Sequence, residues 1–232
     1  MNDTVRKAGE APKPSEASTW QVRAAAYELL ALSFRYPDRT LAEAVASGEW
    51  EEAATEVVKA LGVPMEDGFQ SGQVDGRGIE ELLHALRVEA TRLFVGAPEP
   101  LASPFEGVWR AADDGVQALL FVNPHSMEVE RFMGTCGLGR PEGTNEPLDH
   151  ASTELELLQW LCMLACGIAE APDGIEAPEG GWAGAHDRFL EEHVRTWMPR
   201  FARKAAEETR EPFYRSAAGL LEALLDGRSS EA

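Results

Sequence analysis

Apolar residues recur at helical spacing along most of this chain, and the first clear run is TWQVRAAAYELLALSFRYP. Trp20, Ala24, Tyr27, Leu30, Ala31 and Phe34 fall on one helical face, Thr19 stands where an N-cap belongs, and Pro37 closes the run. A second helix is expected over about 39–60 and a third over about 79–95, IEELLHALRVEATRLFV. Between them GVPMEDGFQSGQVDGRG, residues 62–78, is rich in glycine and reads as a loop.

GAPEPLASPFEGVWR comes next, where Pro98, Pro100 and Pro104 oppose ordinary helix and favour an extended, pre-ordered segment. Further helices are expected over about 113–137, with a break near Asn123-Pro124, and from the end of NEPLDH to about Glu170. APDGIEAPEGG reads as another loop. In HDRFLEEHVRTWMPRFARKAAEE, Phe189, Leu190, His193, Val194, Trp197, Met198 and Phe201 form a broad apolar stripe. Pro199 is expected to kink that helix. The last helix, EPFYRSAAGLLEALL, opens near Pro212 and closes at Gly227. No stretch keeps a period of two. The pattern predicts one all-α domain of about seven or more helices over residues 19–227. A solvated tail is expected over 1–18, rich in Pro, Ala, Glu, Lys and Ser, with a short one over 228–232.

Composition narrows the function. Forty acidic against 21 basic residues give a formal charge of −19, which argues against binding nucleic acid, whose phosphates require Lys and Arg. The same charge suits a basic partner drawn in by long-range steering, or solubility alone. No apolar run approaches the roughly 18–20 residues that cross a bilayer. The N-terminus has no apolar core of an export signal, so a cytoplasmic location is expected. Cys136, Cys162 and Cys166 are too few for a disulfide framework and read as packing thiols.

Most catalytic chemistry finds no residues to carry it. There is no phosphate loop for a nucleotide, no zinc-spaced Cys/His cluster and no G-x-S-x-G serine. A carboxylate-bridged di-metal site needs two Glu-x-x-His motifs on separate helices, and only Glu81-Leu-Leu-His84 is present. A helical metalloenzyme using Glu81 and His84 is the alternative from the enzyme class. Asp149 and His150 are adjacent, so on a helix they point apart and are not in themselves an acid–base dyad.

NEPLDH followed by xxxEL resembles the E-P-x-D-H signature of the TorD/DmsD/NarJ family, chaperones dedicated to molybdenum-containing oxidoreductases. Four other stretches fit in the same order: YELLALSFRYPD, EATRLFVGAPEPLASPFEGVW, FLEEHVRTWMPRFARKA and PFYRSAAGLLEALL, together spanning about residues 20–226. The resemblance implies an all-helical cytoplasmic protein that is not an enzyme and needs no cofactor. It would bind the twin-arginine leader and apo-form of a DMSO-reductase-family catalytic subunit, delaying export until the molybdenum cofactor is inserted. A monomer or a homodimer would fit. The positions carried over for leader binding are Leu93, Phe94, Pro104, Phe105, Glu106, Trp109, Glu146, Pro147, Asp149 and His150. Some relatives carry tryptophan where this chain has Ala90, and another where it has Pro98 or Phe105, so the apolar pocket has its own shape here. The spacing and the WMPRF stretch look closest to chaperones of the type II group, whose clients include nitrate, selenate and chlorate reductases.

A twin-arginine leader offers two guanidinium groups and an apolar run, so its receptor needs carboxylates beside a hydrophobic groove. Asp149, with Glu146, Glu106 or Glu99, is the expected acidic end. Each position has a plainer reading. Asp149 before an apolar helix is a preferred N-cap, with His150 then in the first turn. Leu93 and Phe94 could be core, the Pro-rich stretch a rigid connector, and His193 and Trp197 are expected to pack and hydrogen-bond inside the bundle.

Overall fold

The computed structural model describes residues 14–65, 68–69, 76–116, 123–139 and 147–226. Among them the regular structure is helical throughout: α1 (Pro14–Phe34), α2 (Arg39–Ser47), α3 (Glu49–Leu61), α4 (Ile79–Ala90), α5 (Glu106–Asp113), α6 (Pro124–Thr135), α7 (Ala151–Ala165), α8 (Gly181–Phe189), α9 (Arg195–Glu208) and α10 (Pro212–Asp226). Two π-helical turns, Thr91–Val95 and Leu190–Val194, extend α4 and join α8 to α9.

The centre of the molecule is α1 packed along α7. Leu30, Ala31 and Phe34 from α1 and Leu155, Leu158 and Leu161 from α7 are sealed from solvent. Burying each of the larger side chains contributes about 1.5–3 kcal/mol. Helices α9 and α10 pack on each other. Around Phe34 an aromatic cluster gathers Phe201 at 5.2 Å and Phe94 at 6.2 Å, and Phe94 in turn meets Tyr214 at 5.5 Å.

Several boundaries differ from the sequence pattern. The helix expected over 39–60 is two, because Gly48 takes the left-handed conformation (φ 88°) and ends α2 where α3 begins. Helix α1 starts at Pro14, inside the expected tail and ahead of Thr19; proline is tolerated in a first helical turn. The Pro-rich segment turns helical at Glu106, past its last proline. The break expected near Asn123-Pro124 is present, with α5 ending at Asp113 and α6 starting at Pro124, where the Asn123 side chain accepts from His125 N–H at 2.9 Å. Helix α7 stops at Ala165 rather than Glu170, before the left-handed Gly167. In the α8–α9 rod the departure from α geometry lies at Leu190–Val194, ahead of Pro199, and α9 runs on through the proline. The expected tails over 1–13 and 228–232, and parts of the 62–78 loop, lie outside the described residues.

Candidate functional site

The backbone at Asp149–Ala151, the end of the NEPLDH stretch and the residue after it, meets the end of the Pro-rich loop. Phe105 and His150 form an isolated antiparallel bridge, in which Glu106 N–H donates to the Asp149 carbonyl (2.9 Å) and Ala151 N–H to that of Pro104 (2.8 Å). The Phe105 and His150 rings meet edge to face, 5.1 Å apart. The loop is also tied at its other end, where Ala102 N–H donates to the Leu93 carbonyl (2.9 Å). Three prolines in this short stretch already restrict it before folding.

The residue that caps α7 is His150, not Asp149. His150 Nδ1 accepts from Ser152 N–H at 3.1 Å, which fixes Nδ1 as an acceptor and places the ring proton on Nε2. Burial lowers the His150 pKa to about 4, so the ring is neutral near pH 7. Asp149 instead reaches across to α5, where its Oδ2 accepts from Gly107 N–H at 2.8 Å. It thus supplies an acceptor in the first turn of a helix 42 residues away, whose own N-cap, Phe105, has no side chain able to do so.

Beneath this junction lies a sealed polar network. Glu106, with no exposure, accepts from Arg110 (2.9 Å) and lies 3.0 Å from His193 Nδ1. Glu154, equally sealed, accepts from Trp197 Nε1 at 3.0 Å. Burial first, and the neighbouring Glu106 charge second, push the Glu154 carboxyl well above the usual range. Burial also raises Asp149, partly offset by the Gly107 N–H. His193 and Trp197 pack and hydrogen-bond inside, as the pattern indicated.

Above the junction opens a cleft of about 980 Å³. The end of α1 supplies Phe34 and the residues just after it Arg35 and Tyr36, and the π-turn after α4 supplies Phe94 and Val95. Pro104 and Phe105 face Pro147, Leu148 and His150, while Met133, Leu138 and Gly139 close the end beyond α6. Helix α7 forms a wall with Thr153, Glu156, Leu157 and Trp160, spaced as one helical face. Tyr36 and Val95 are strongly exposed, so the cleft offers apolar surface to a partner.

Of the positions carried over from the family pattern, Phe94, Pro104, Phe105, Pro147 and His150 line this cleft. The others do not. Leu93 is core, Glu106 and Asp149 belong to the sealed network, and Trp109 donates from Nε1 to Ser103 O (2.8 Å) outside the cleft. Glu146 lies outside the described residues. Of the expected acidic end, Asp149 and Glu106 are therefore not presented to solvent, and Glu99 is exposed but does not line the cleft. Among the described lining residues the charged pair is Arg35 and Glu156, which sequence reasoning missed. The spacing of Thr153, Glu156, Leu157 and Trp160 was the signal available for that wall.

The alternative metal site does not assemble. Glu81 accepts from Gly78 N–H at the start of α4 (3.3 Å), His84 is exposed, and no group of three metal-ligating side chains occurs among the described residues. No described helix is long and apolar enough to cross a membrane.

A sequence model of the family described as nitrate reductase delta subunit matches residues 43–203. The chain is 30% identical over 181 residues to the selenate reductase assembly chaperone protein of Thauera selenatis, covering 78% of this chain and 75% of that protein. It is 27% identical over 128 residues to the chaperone protein TorD of Vibrio cholerae, covering 55% of this chain and 53%, about half, of that protein's length. A crystal structure of a candidate redox enzyme maturation protein from Archaeoglobus fulgidus aligns over 95% of this chain and 98% of its own, with TM-score 0.48 and 18% identity.

Proposed function

Because the chain belongs to the nitrate reductase delta subunit family, we propose that it is a chaperone in the maturation of a molybdenum oxidoreductase, and that its cleft receives the twin-arginine leader of the apo catalytic subunit. It catalyses no reaction. It works in the cytoplasm, holding the leader back from export while the molybdenum cofactor is inserted. The observation that carries this reading is the open apolar cleft bounded by Phe105, Pro147 and His150, where the two family-like stretches meet.

The physical fit is that of an apolar segment laid in a groove. Tyr36, Val95, Phe105 and Trp160 give such a segment apolar contact, and the tied Pro104–Phe105 edge is already in place before binding. The −19 charge would speed the approach of an arginine-bearing peptide and lose that effect as salt rises. Calorimetric titration of the full chain with a synthetic peptide, two arginines followed by an apolar run, tests the reading. Saturable binding at one peptide per chain is expected; the absence of any binding would overturn it.

A further inference from the structure

The carboxylates of Asp149, Glu106 and Glu154 are sealed away from a leader's arginines. The cleft itself supplies a different one. Resting on the leader reading, we infer that Glu156 is the acceptor for a leader guanidinium, and that Arg35 occupies it as an internal substitute until the leader docks.

Three observations carry this. First, Glu156 is the one carboxylate among the described residues lining the cleft, and it stands on the α7 wall between Thr153 and the half-buried Trp160. A guanidinium bound there would be followed directly by apolar surface, which is the order of groups in the ligand. Second, the carboxylate already holds a guanidinium. Nε and a terminal nitrogen of Arg35 converge on the single oxygen Oε1 at 2.8 and 2.5 Å, and Oε2 has no partner among the described residues. An incoming arginine can therefore engage Oε2 before Arg35 leaves Oε1, so exchange need not pass through an unpaired charge.

Third, displacement is easy. The two side chains are 53% and 37% exposed, and pairs so exposed hold weakly because water and salt screen them. Arg35 also has somewhere to go. It borders a second, smaller hollow lined by Asp38 and Glu49 on its other side, so it can turn from one acidic neighbour towards another. Glu156 would then select arginine over lysine, because two parallel hydrogen bonds to one carboxylate need the planar guanidinium fork.

The test compares the full-length parent, Glu156→Gln and Arg35→Gln, each titrated with an Arg-Arg leader peptide and its Lys-Lys counterpart, with thermal melts to confirm folding. The parent is expected to prefer Arg-Arg. Glu156→Gln should weaken Arg-Arg binding at least tenfold and abolish the preference, while Arg35→Gln should bind Arg-Arg several-fold more tightly. If the parent binds Arg-Arg peptide but Glu156→Gln binds it equally well, this inference fails and the leader reading stands. Weaker binding by Arg35→Gln would overturn the displacement of Arg35. If the parent binds neither peptide, both readings fall together.

Discussion

Asp149 caps a helix to which it is not joined. Its Oδ2 accepts from Gly107 N–H at 2.8 Å, and the close approach is possible because Gly107 has no side chain. A Cβ there would lie 2.4 Å from Asn123 Nδ2 and 2.9 Å from Asp149 Oδ2. Asn123 in turn donates from Nδ2 to the Gly107 carbonyl at 2.8 Å. Three segments are thus locked at one glycine, directly under the cleft.

Gly107→Ala should therefore destabilise the protein by about 1–3 kcal/mol, the usual cost of overpacking. Asp149→Asn keeps an oxygen for the Gly107 N–H and should stay close to the parent in both stability and leader affinity, since Asp149 does not face the cleft. Asp149→Ala leaves that N–H buried without a partner and should lose roughly 1–3 kcal/mol. Urea unfolding of the three variants checks the order; an Asn variant as unstable as the Ala variant would count against the hydrogen bond.

His150 predicts a loss of stability in acid. Its folded pKa of about 4 lies below the ordinary 6.5, so between these values the unfolded chain binds the extra proton. The stabilisation is complete above pH 6.5 and is lost as pH falls towards 4. The expected loss is on the order of 1–3 kcal/mol. His150→Asn keeps a good N-cap but does not titrate, so its stability should be flatter over that window. Parallel pH curves for parent and variant would show that His150 is not the group responsible.

Glu154 predicts the opposite slope. Its carboxyl is held well above the usual range, so the folded state retains a proton that the unfolded chain releases above about pH 4.5. The contribution of this group falls as pH rises from there. Glu154→Gln keeps an oxygen for the Trp197 indole and has no charge to bury, so at pH 8 it should be more stable than the parent by about 1 kcal/mol or more. The gain should shrink towards pH 5. A Gln variant that is less stable than the parent at pH 8 would contradict the burial argument.

The helices were legible because their apolar faces repeat every three to four residues, as Trp20, Ala24, Tyr27, Leu30, Ala31 and Phe34 do. Periodicity does not register a single left-handed glycine, which is why Gly48 divides an element that reads as continuous. Nor does it reveal the π-turns, which add one residue per turn without changing which side chains are apolar. At the site, Phe105, Pro147 and His150 were visible as motif residues and do line the cleft. What an Asp or Glu in the motif does was not visible, because its partner is distant: Gly107 for Asp149, His193 for Glu106. The Arg35–Glu156 pair spans 121 positions, so local spacing carries no trace of it.

A leader peptide should bind in the cleft walled by α7. The most direct measurement is calorimetric affinity for an Arg-Arg leader peptide before and after the cleft is filled by Thr153→Trp. Thr153 lies on the cleft face of α7 and is only partly buried, so the larger ring can occupy the groove without entering the core. A folded variant with at least tenfold weaker binding is the predicted result. Affinity equal to that of the parent, in a protein with the parent's Tm, would contradict the claim.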